Sequence, residues 1–249
     1  MLKLSNLRKV FLDRKSNEIE AVKGLTLNVE AGQILGLLGM NGAGKSTTLR
    51  MLSTVINPSS GYASLNGINM HESPMEVRRS IGFLSGSTGL YKRLTARETI
   101  SWFAQLNGMT KSAINQRINE LVDLLNMSEF IDRKCEKLST GQKQKVNIGR
   151  TIIHDPALLI LDEATTGLDV VAKQSIIDFI HHMKNEKRVI LFSTHHMDEV
   201  HELCDSIAVL NKGELIGSGK IDDVLANQEC KGLGELFGRY AERIGASHK

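Results

Sequence analysis

Three prolines, three cysteines, one tryptophan and only 4% aromatic residues deprive this 249-residue chain of several kinds of structure. Cys135, Cys204 and Cys230 are odd in number and widely spaced. They supply neither a disulfide framework nor a zinc ligand set, and they fit a reducing cytoplasm. Apolar runs such as Ala157 to Leu161 fall far short of the ~20 residues of a transmembrane helix. The N-terminus, Met-Leu-Lys-Leu-Ser, lacks the apolar region of a secretory signal. A membrane role is therefore expected to come through a partner. Charge of one sign is also missing: 31 Lys and Arg against 28 Asp and Glu leave a net +3. That balance argues against a protein that coats nucleic acid, which needs a basic face. No repeat, Ser/Gly-rich linker or long charge block divides the chain.

What remains is 41% apolar and 24% charged, an ordinary globular composition. The chain is long enough to bury a large core. Strand and helix signals alternate, which predicts an α/β fold with a largely parallel sheet. Gln33 to Leu38 reads as a buried strand, followed by a helix from Lys45 to about Leu52. Tyr62 to Met70 reads as a hairpin around Asn66-Gly67. Ile81 to Leu84 is a further strand. Thr95 and Glu98 form a capping box opening a helix that ends near Gly108. Ile114, Ile118, Leu121, Val122 and Leu125 share one helical face. Ser139 caps another helix, ending before Pro156. Strands are expected again at 158–162, 189–193 and 207–210, with Ile176, Ile177, Ile180 and Met183 as the buried stripe of an intervening helix. A helical block over 89–153 thus interrupts an α/β core of 1–88 and 154–220. The tail, 221–249, carries Leu233, Leu236, Phe237, Tyr240 and Ile244 at helical spacing. Such a stripe packs on its own core more often than on a second copy.

Gly39-Met40-Asn41-Gly42-Ala43-Gly44-Lys45-Ser46 matches G-x-x-x-x-G-K-[ST] in full, between a predicted strand and a predicted helix. The glycines allow the backbone to curl so that successive N–H groups point at phosphate oxygens. Lys45 brings a point charge to the β and γ phosphates, Ser46 brings a hydroxyl to Mg²⁺, and Thr47 follows as a further contact. The helix that starts here adds the positive end of its dipole. Average composition produces this pattern in about one chain in a hundred, and the strand–turn–helix setting lowers that further. A chance glycine turn is therefore the weaker account.

Leu158-Leu159-Ile160-Leu161-Asp162-Glu163 is an apolar strand ending in two carboxylates. Strand ends are often acidic, so alone this means little. Beside a phosphate loop it means more: Asp162 is placed to hold Mg²⁺, and Glu163 to polarise an attacking water as general base.

Leu138-Ser139-Thr140-Gly141-Gln142, at a helix start just before the acidic strand, resembles the LSGGQ signature of ABC-transporter ATPases. Ser193-Thr194-His195 resembles that family's switch histidine, and Thr166-Gly167-Leu168-Asp169 its D-loop. Phe11 falls where the family places an aromatic that stacks on adenine. The resemblance covers about residues 1 to 220. LGLLGMNGAGKSTTLRML, IGFLSGSTGLYKRLTARE and STHHMDEVHELCD resemble the ATP-binding subunits of ABC-2-type exporters, most of all the sodium-extruding type. The resemblance implies a P-loop NTPase core with an inserted helical subdomain and an N-terminal antiparallel β region. It implies ATP and Mg²⁺ as ligands, and two copies, or this chain with a second ATPase subunit, facing head to tail. Ser139, Gly141 and Gln142 of one copy would then meet the γ-phosphate held by Lys45 of the other. His195 would bond the γ-phosphate, and Asp169 would link the two sites. An integral-membrane permease of the ABC-2 type would receive the stroke, with this chain on the inner face of the cell membrane.

Two departures stand out. Thr140 replaces the first glycine of the signature, and Gly86 stands where the family has a metal-touching glutamine; no Gln occurs between Gln33 and Gln105. Other readings are weaker. His195, His196 and His201 lack zincin spacing. His181-His182 and Lys143 with Lys145 read as solvated helix faces, and no nucleic-acid partner is expected. A soluble ABC ATPase of ribosomes or DNA would carry two ATPase modules or a long coiled-coil insertion. A P-loop kinase or GTPase would lack the signature and His195.

Overall fold

A computed structural model describes residues 1–85, 89–236, 238 and 239. The chain runs β1 (Leu2–Leu12), β2 (Glu18–Val29), β3 (Ile34–Leu38), α1 (Lys45–Leu52), β4 (Ser60–Leu65), β5 (Ile68–Asn69), α2 (Pro74–Arg78) and β6 (Ile81–Ser85). Then come α3 (Ala96–Leu106), α4 (Lys111–Leu124), a 3₁₀ turn at Cys135–Lys137, and α5 (Thr140–Ile152). The remainder is β7 (Leu158–Asp162), α6 (Val170–Asn185), β8 (Val189–Ser193), α7 (Met197–Leu203), β9 (Ser206–Asn211), β10 (Glu214–Gly219) and α8 (Ile221–Asn227).

Two sheets result. One is a four-stranded antiparallel sheet in the order β2-β1-β4-β5. The other has the order β10-β9-β3-β8-β7-β6, parallel except for β10, which returns antiparallel on β9. The α/β fold read from the sequence is therefore the observed one. The parallel strands are apolar through their middles, with polar residues at their ends, because both faces are covered. Along β7, Leu158 and Ile160 face the layer shared with the antiparallel sheet and α1, while Leu159 and Leu161 face α5 and α6.

The local signals act where expected. Asn66 (φ 50°) and Gly67 (φ 87°) form the left-handed turn joining β4 to β5. Ile114, Ile118, Leu121 and Leu125 are buried, with Val122 packed partly against them. At α3, Thr95 Oγ1 accepts from the Glu98 N–H at 3.1 Å, and Glu98 Oε2 accepts from the Thr95 N–H at 2.8 Å. Losing that cap costs about 1 kcal/mol. Thr95→Ala should therefore lower the melting temperature by roughly 2–4 °C. Calorimetry with no shift would show that α3 is held by packing alone.

Of the tail stripe, Leu233 and Leu236 are buried against Leu38, Val200, Ile207 and Val209, so this part packs on the chain's own core. Phe237, Tyr240 and Ile244 lie outside the described residues, as does Gly86.

Candidate functional site

The register of the parallel sheet gathers the chemistry at one edge. Ser85, Asp162 and Ser193 sit in a row at the carboxyl ends of β6, β7 and β8. Beside β8, strand β3 ends at Leu38 and runs straight into the phosphate loop. Ligands of open α/β sheets bind outside the carboxyl ends of the strands.

The loop itself is a tight curl, closed by the Ala43 N–H donating to the Met40 carbonyl at 3.0 Å. Gly39, Gly42 and Gly44 have φ of 148°, 80° and 104°. Gly44 backs onto the Ala21 carbonyl of β2, leaving no room for a Cβ. The Gly213 N–H, in the β9–β10 turn, donates to the Ala43 carbonyl at 3.0 Å. The loop is thus clamped from behind, while Asn41, Gly42 and Ser46 face solvent. Lys45, half-buried, donates to the carbonyls of Gly39 (2.5 Å) and Met40 (3.2 Å). Burial pulls its pKa below the usual lysine value, while Glu163 and Asp162 oppose that shift. A cationic, amide-lined curl at a helix start suits a polyphosphate. Thr47 is half-buried in the first turn of α1. Phe11, on β1, is exposed, with the Lys9 ammonium 5.0 Å above its ring.

Opposite stand the acids. Burial pushes the Asp162 carboxyl up, and neighbouring Glu163 adds to the rise. A carboxylate with a strained solvation of this kind gains from a cation, so Asp162 with the Ser46 hydroxyl fits the oxygen donor set of Mg²⁺. Glu163 is left-handed (φ 54°), unusual for a residue with a side chain, and its N–H donates to the Ser193 carbonyl at 2.9 Å. The Glu163 Oε1 lies 3.5 Å from His195 Nδ1, both side chains being open to solvent. The His195 ring also lies 4.2 Å from that of His196.

The segment around Ser139 opens α5 with a full capping box. Ser139 Oγ accepts from the Gln142 N–H at 3.2 Å, and Gln142 Oε1 accepts from the Ser139 N–H at 3.0 Å. Ser139 and Thr140 are exposed at the helix start, which carries the positive dipole end. Gly141 lies so close to Ala172 of α6 that a Cβ would sit 2.9 Å from that methyl. Thr140 is exposed, whereas Gly141 is packed against that neighbour. Asp169 caps α6, accepting from the Ala172 N–H at 2.8 Å. Gln144 Nε2 donates to the Ala164 carbonyl at 2.6 Å, tying α5 to the loop after Glu163.

Sequence reasoning had no sign of three buried polar residues in this region: Thr165, Thr194 as a hydrogen-bonding group, and Glu199. The available signal was a carboxylate on α7 next to Val200 and Leu203, where an apolar residue would be expected.

A family model described as ABC transporter matches residues 22–166. The ABC transporter ATP-binding protein NatA of Bacillus subtilis is 38% identical over 95% of this chain and 96% of its own. The methionine import ATP-binding protein MetN of Haemophilus influenzae is 35% identical over 93% of this chain and 68% of its own. Among solved structures, the ATP-binding cassette MJ0796, a dimer in a post-hydrolysis state bound to ADP and Pi, superposes with a TM-score of 0.79. It is 25% identical over 88% of this chain and 98% of that one.

Proposed function

The chain belongs to the ABC transporter family as an ATP-binding subunit, and from that premise we propose that it hydrolyses Mg²⁺-ATP to drive export through a separate membrane permease. One observation carries the reading: the Glu163 carboxylate and the His195 ring meet 3.5 Å apart at the strand ends beside the phosphate loop. Glu163 acts as general base on the attacking water, and His195 holds the γ-phosphate. Lys45 and the amides of Gly39 to Ser46 bind the phosphates, Phe11 stacks on adenine, and Thr47 completes the contacts. Ser46 and Asp162 hold Mg²⁺, which neutralises phosphate charge when bound.

Two copies, or this chain and a second ATPase subunit, pair head to tail across the nucleotides. The exposed N-terminus of α5, with Ser139, Gly141 and Gln142, serves the partner's γ-phosphate, and Asp169 spans the join. The dimeric state of the MJ0796 cassette supports this arrangement. Residues 1–220 form the nucleotide-binding unit, with 89–153 as its helical subdomain and 221–249 as a tail.

Among the described residues no helix is long and apolar enough to cross a membrane. The permease partner is inferred from the transporter-named relatives. A groove of about 810 Å³, lined by Tyr91, Leu94, Trp102 and Ile118 with Lys92 and Arg93, gives it an apolar seat on the helical block. The chain then works at the inner face of the cell membrane. The ABC-2 exporter reading, with sodium as cargo, rests on the motif resemblance, while near-full-length similarity to NatA supports the coarser role of an ABC transporter ATP-binding protein. Nothing in the motifs favours the ribosome- or DNA-acting alternative.

The test joins biochemistry and transport. Purified chain should release phosphate from ATP only with Mg²⁺. Vesicles carrying it with its neighbouring permease should move Na⁺ when ATP is supplied. Phosphate release without Na⁺ movement would retain the ATPase and remove sodium. Co-purification with ribosomes in place of a membrane protein would favour the alternative.

A further inference from the structure

Glu199, on α7, is 1% exposed, and it sits among the apolar side chains Val200 and Leu203. Burying a carboxylate is costly unless its oxygens are met by donors. Here two hydroxyls donate to one oxygen and an ammonium faces the other as an ion pair without a well-aligned hydrogen bond, each from a different segment of the site. Glu199 Oε2 accepts from Thr165 Oγ1 at 2.9 Å and from Thr194 Oγ1 at 2.6 Å. Glu199 Oε1 pairs with the Lys173 ammonium at 3.0 Å.

Each partner neighbours a residue of the site. Thr165 is two residues after Glu163, in the loop whose Thr166 N–H donates to the Glu163 carbonyl at 3.2 Å. Thr194 immediately precedes His195, and its Oγ1 also accepts from the His196 N–H at 3.1 Å. The histidine is therefore pinned on both sides. Lys173 lies in the first turn of α6, and its N–H donates to the Asp169 carbonyl at 2.8 Å. Glu199 itself is shielded from solvent and from any ligand, so it cannot touch the reacting atoms. A leucine would fill the same space on α7 but would leave both threonine hydroxyls without an acceptor.

We propose that Glu199 is a positioning residue, holding the Glu163 loop and the His195 loop in mutual register through Thr165 and Thr194. The proposal rests on the ATPase reading above. Misplacing a reacting group by about 1 Å can cost on the order of a hundredfold in rate. The loss should fall mainly on kcat, because the phosphate loop that supplies most of the ATP contacts lies on other elements and His195 adds a single contact to the γ-phosphate.

The experiment uses the full chain and compares kcat, KM and ATP affinity. Glu199→Ala should lower kcat by on the order of tenfold or more and change KM and ATP affinity far less. Glu199→Gln should recover most of that loss, since its amide oxygen still accepts from both threonines. In a His195→Ala background, Glu199→Ala should cost less than it does alone, because the share it exerts through His195 is already gone. Should Glu199→Ala fail to fold, Thr194→Val and Thr165→Val each remove one hydroxyl and should show the same kcat-limited loss. A folded Glu199→Ala with full kcat would overturn the proposal. So would a loss carried by KM, or losses that multiply with His195→Ala. An unsubstituted chain that hydrolyses no ATP would instead sink the ATPase reading itself.

Discussion

Glu163→Gln should bind ATP at close to full strength and all but stop releasing phosphate. General base catalysis is worth roughly 10²–10⁴ in rate, and an amide cannot take the water's proton. The substitution is gentle on the fold. The side chain is open to solvent, and the left-handed backbone at this position is held by the bond from the Glu163 N–H to the Ser193 carbonyl. Gln tolerates that conformation no worse than Glu. The variant should therefore also accumulate as an ATP-bound dimer, visible as a doubled mass by sedimentation when ATP is added. Full turnover would remove Glu163 from the base role. A monomer with and without ATP, at concentrations where the transporter is active, would count against the paired arrangement.

Lys45→Ala should fail one step earlier. Its ammonium is the cation at the mouth of the loop, and it holds the Gly39 and Met40 carbonyls together. Hydrogen bonds to charged groups contribute about 1.5–3 kcal/mol each. Removing one of them from a bound phosphate should weaken ATP affinity by on the order of 10- to 100-fold. Titration calorimetry reads this directly. Arg is a poor substitute, because a planar guanidinium cannot enter a curl shaped for a compact point charge. Lys45→Ala binding ATP at full strength would move phosphate recognition onto the loop amides alone.

Much of this site was legible because its residues are local in sequence. The phosphate loop, the acidic end of β7 and the cap at Ser139 each lie within eight consecutive residues, and local physics fixes their form. The strand β7 was legible for a related reason: burial on both faces makes it apolar without a break. The antiparallel sheet was legible at its β4–β5 hairpin, from Asn66-Gly67, but β1 and β2 left no such trace in the alternation pattern. Its first strand pairs with β2 through register shifts between Leu4 and Leu7, Leu7 and Lys9, and Lys9 and Val10, which break the period of two. Glu199 was hidden for a different reason. Its partners stand 34, 26 and 5 residues away along the chain, at Thr165, Lys173 and Thr194, and only the sheet brings them together. The helix α2, five residues long behind Pro74, is too short to show a period at all.

The helix α5 has a mechanical consequence. Its 13 residues make a rod about 20 Å long. The half from Val146 to Ile152 is sunk in the core, so the rod does not bend independently of it. Its exposed tip would press on the neighbouring copy's nucleotide. Its flank grips Ala164, one residue from Glu163, through Gln144, and Arg150 near its far end donates to the Gly89 carbonyl at 3.2 Å. Load applied at the tip is therefore delivered to the loop after Glu163 and to the segment beyond β6. In the paired assembly, the occupancy of one nucleotide site would set the readiness of the other. By thermodynamic reciprocity the influence runs equally in both directions, so two bound ATP molecules would behave as one signal.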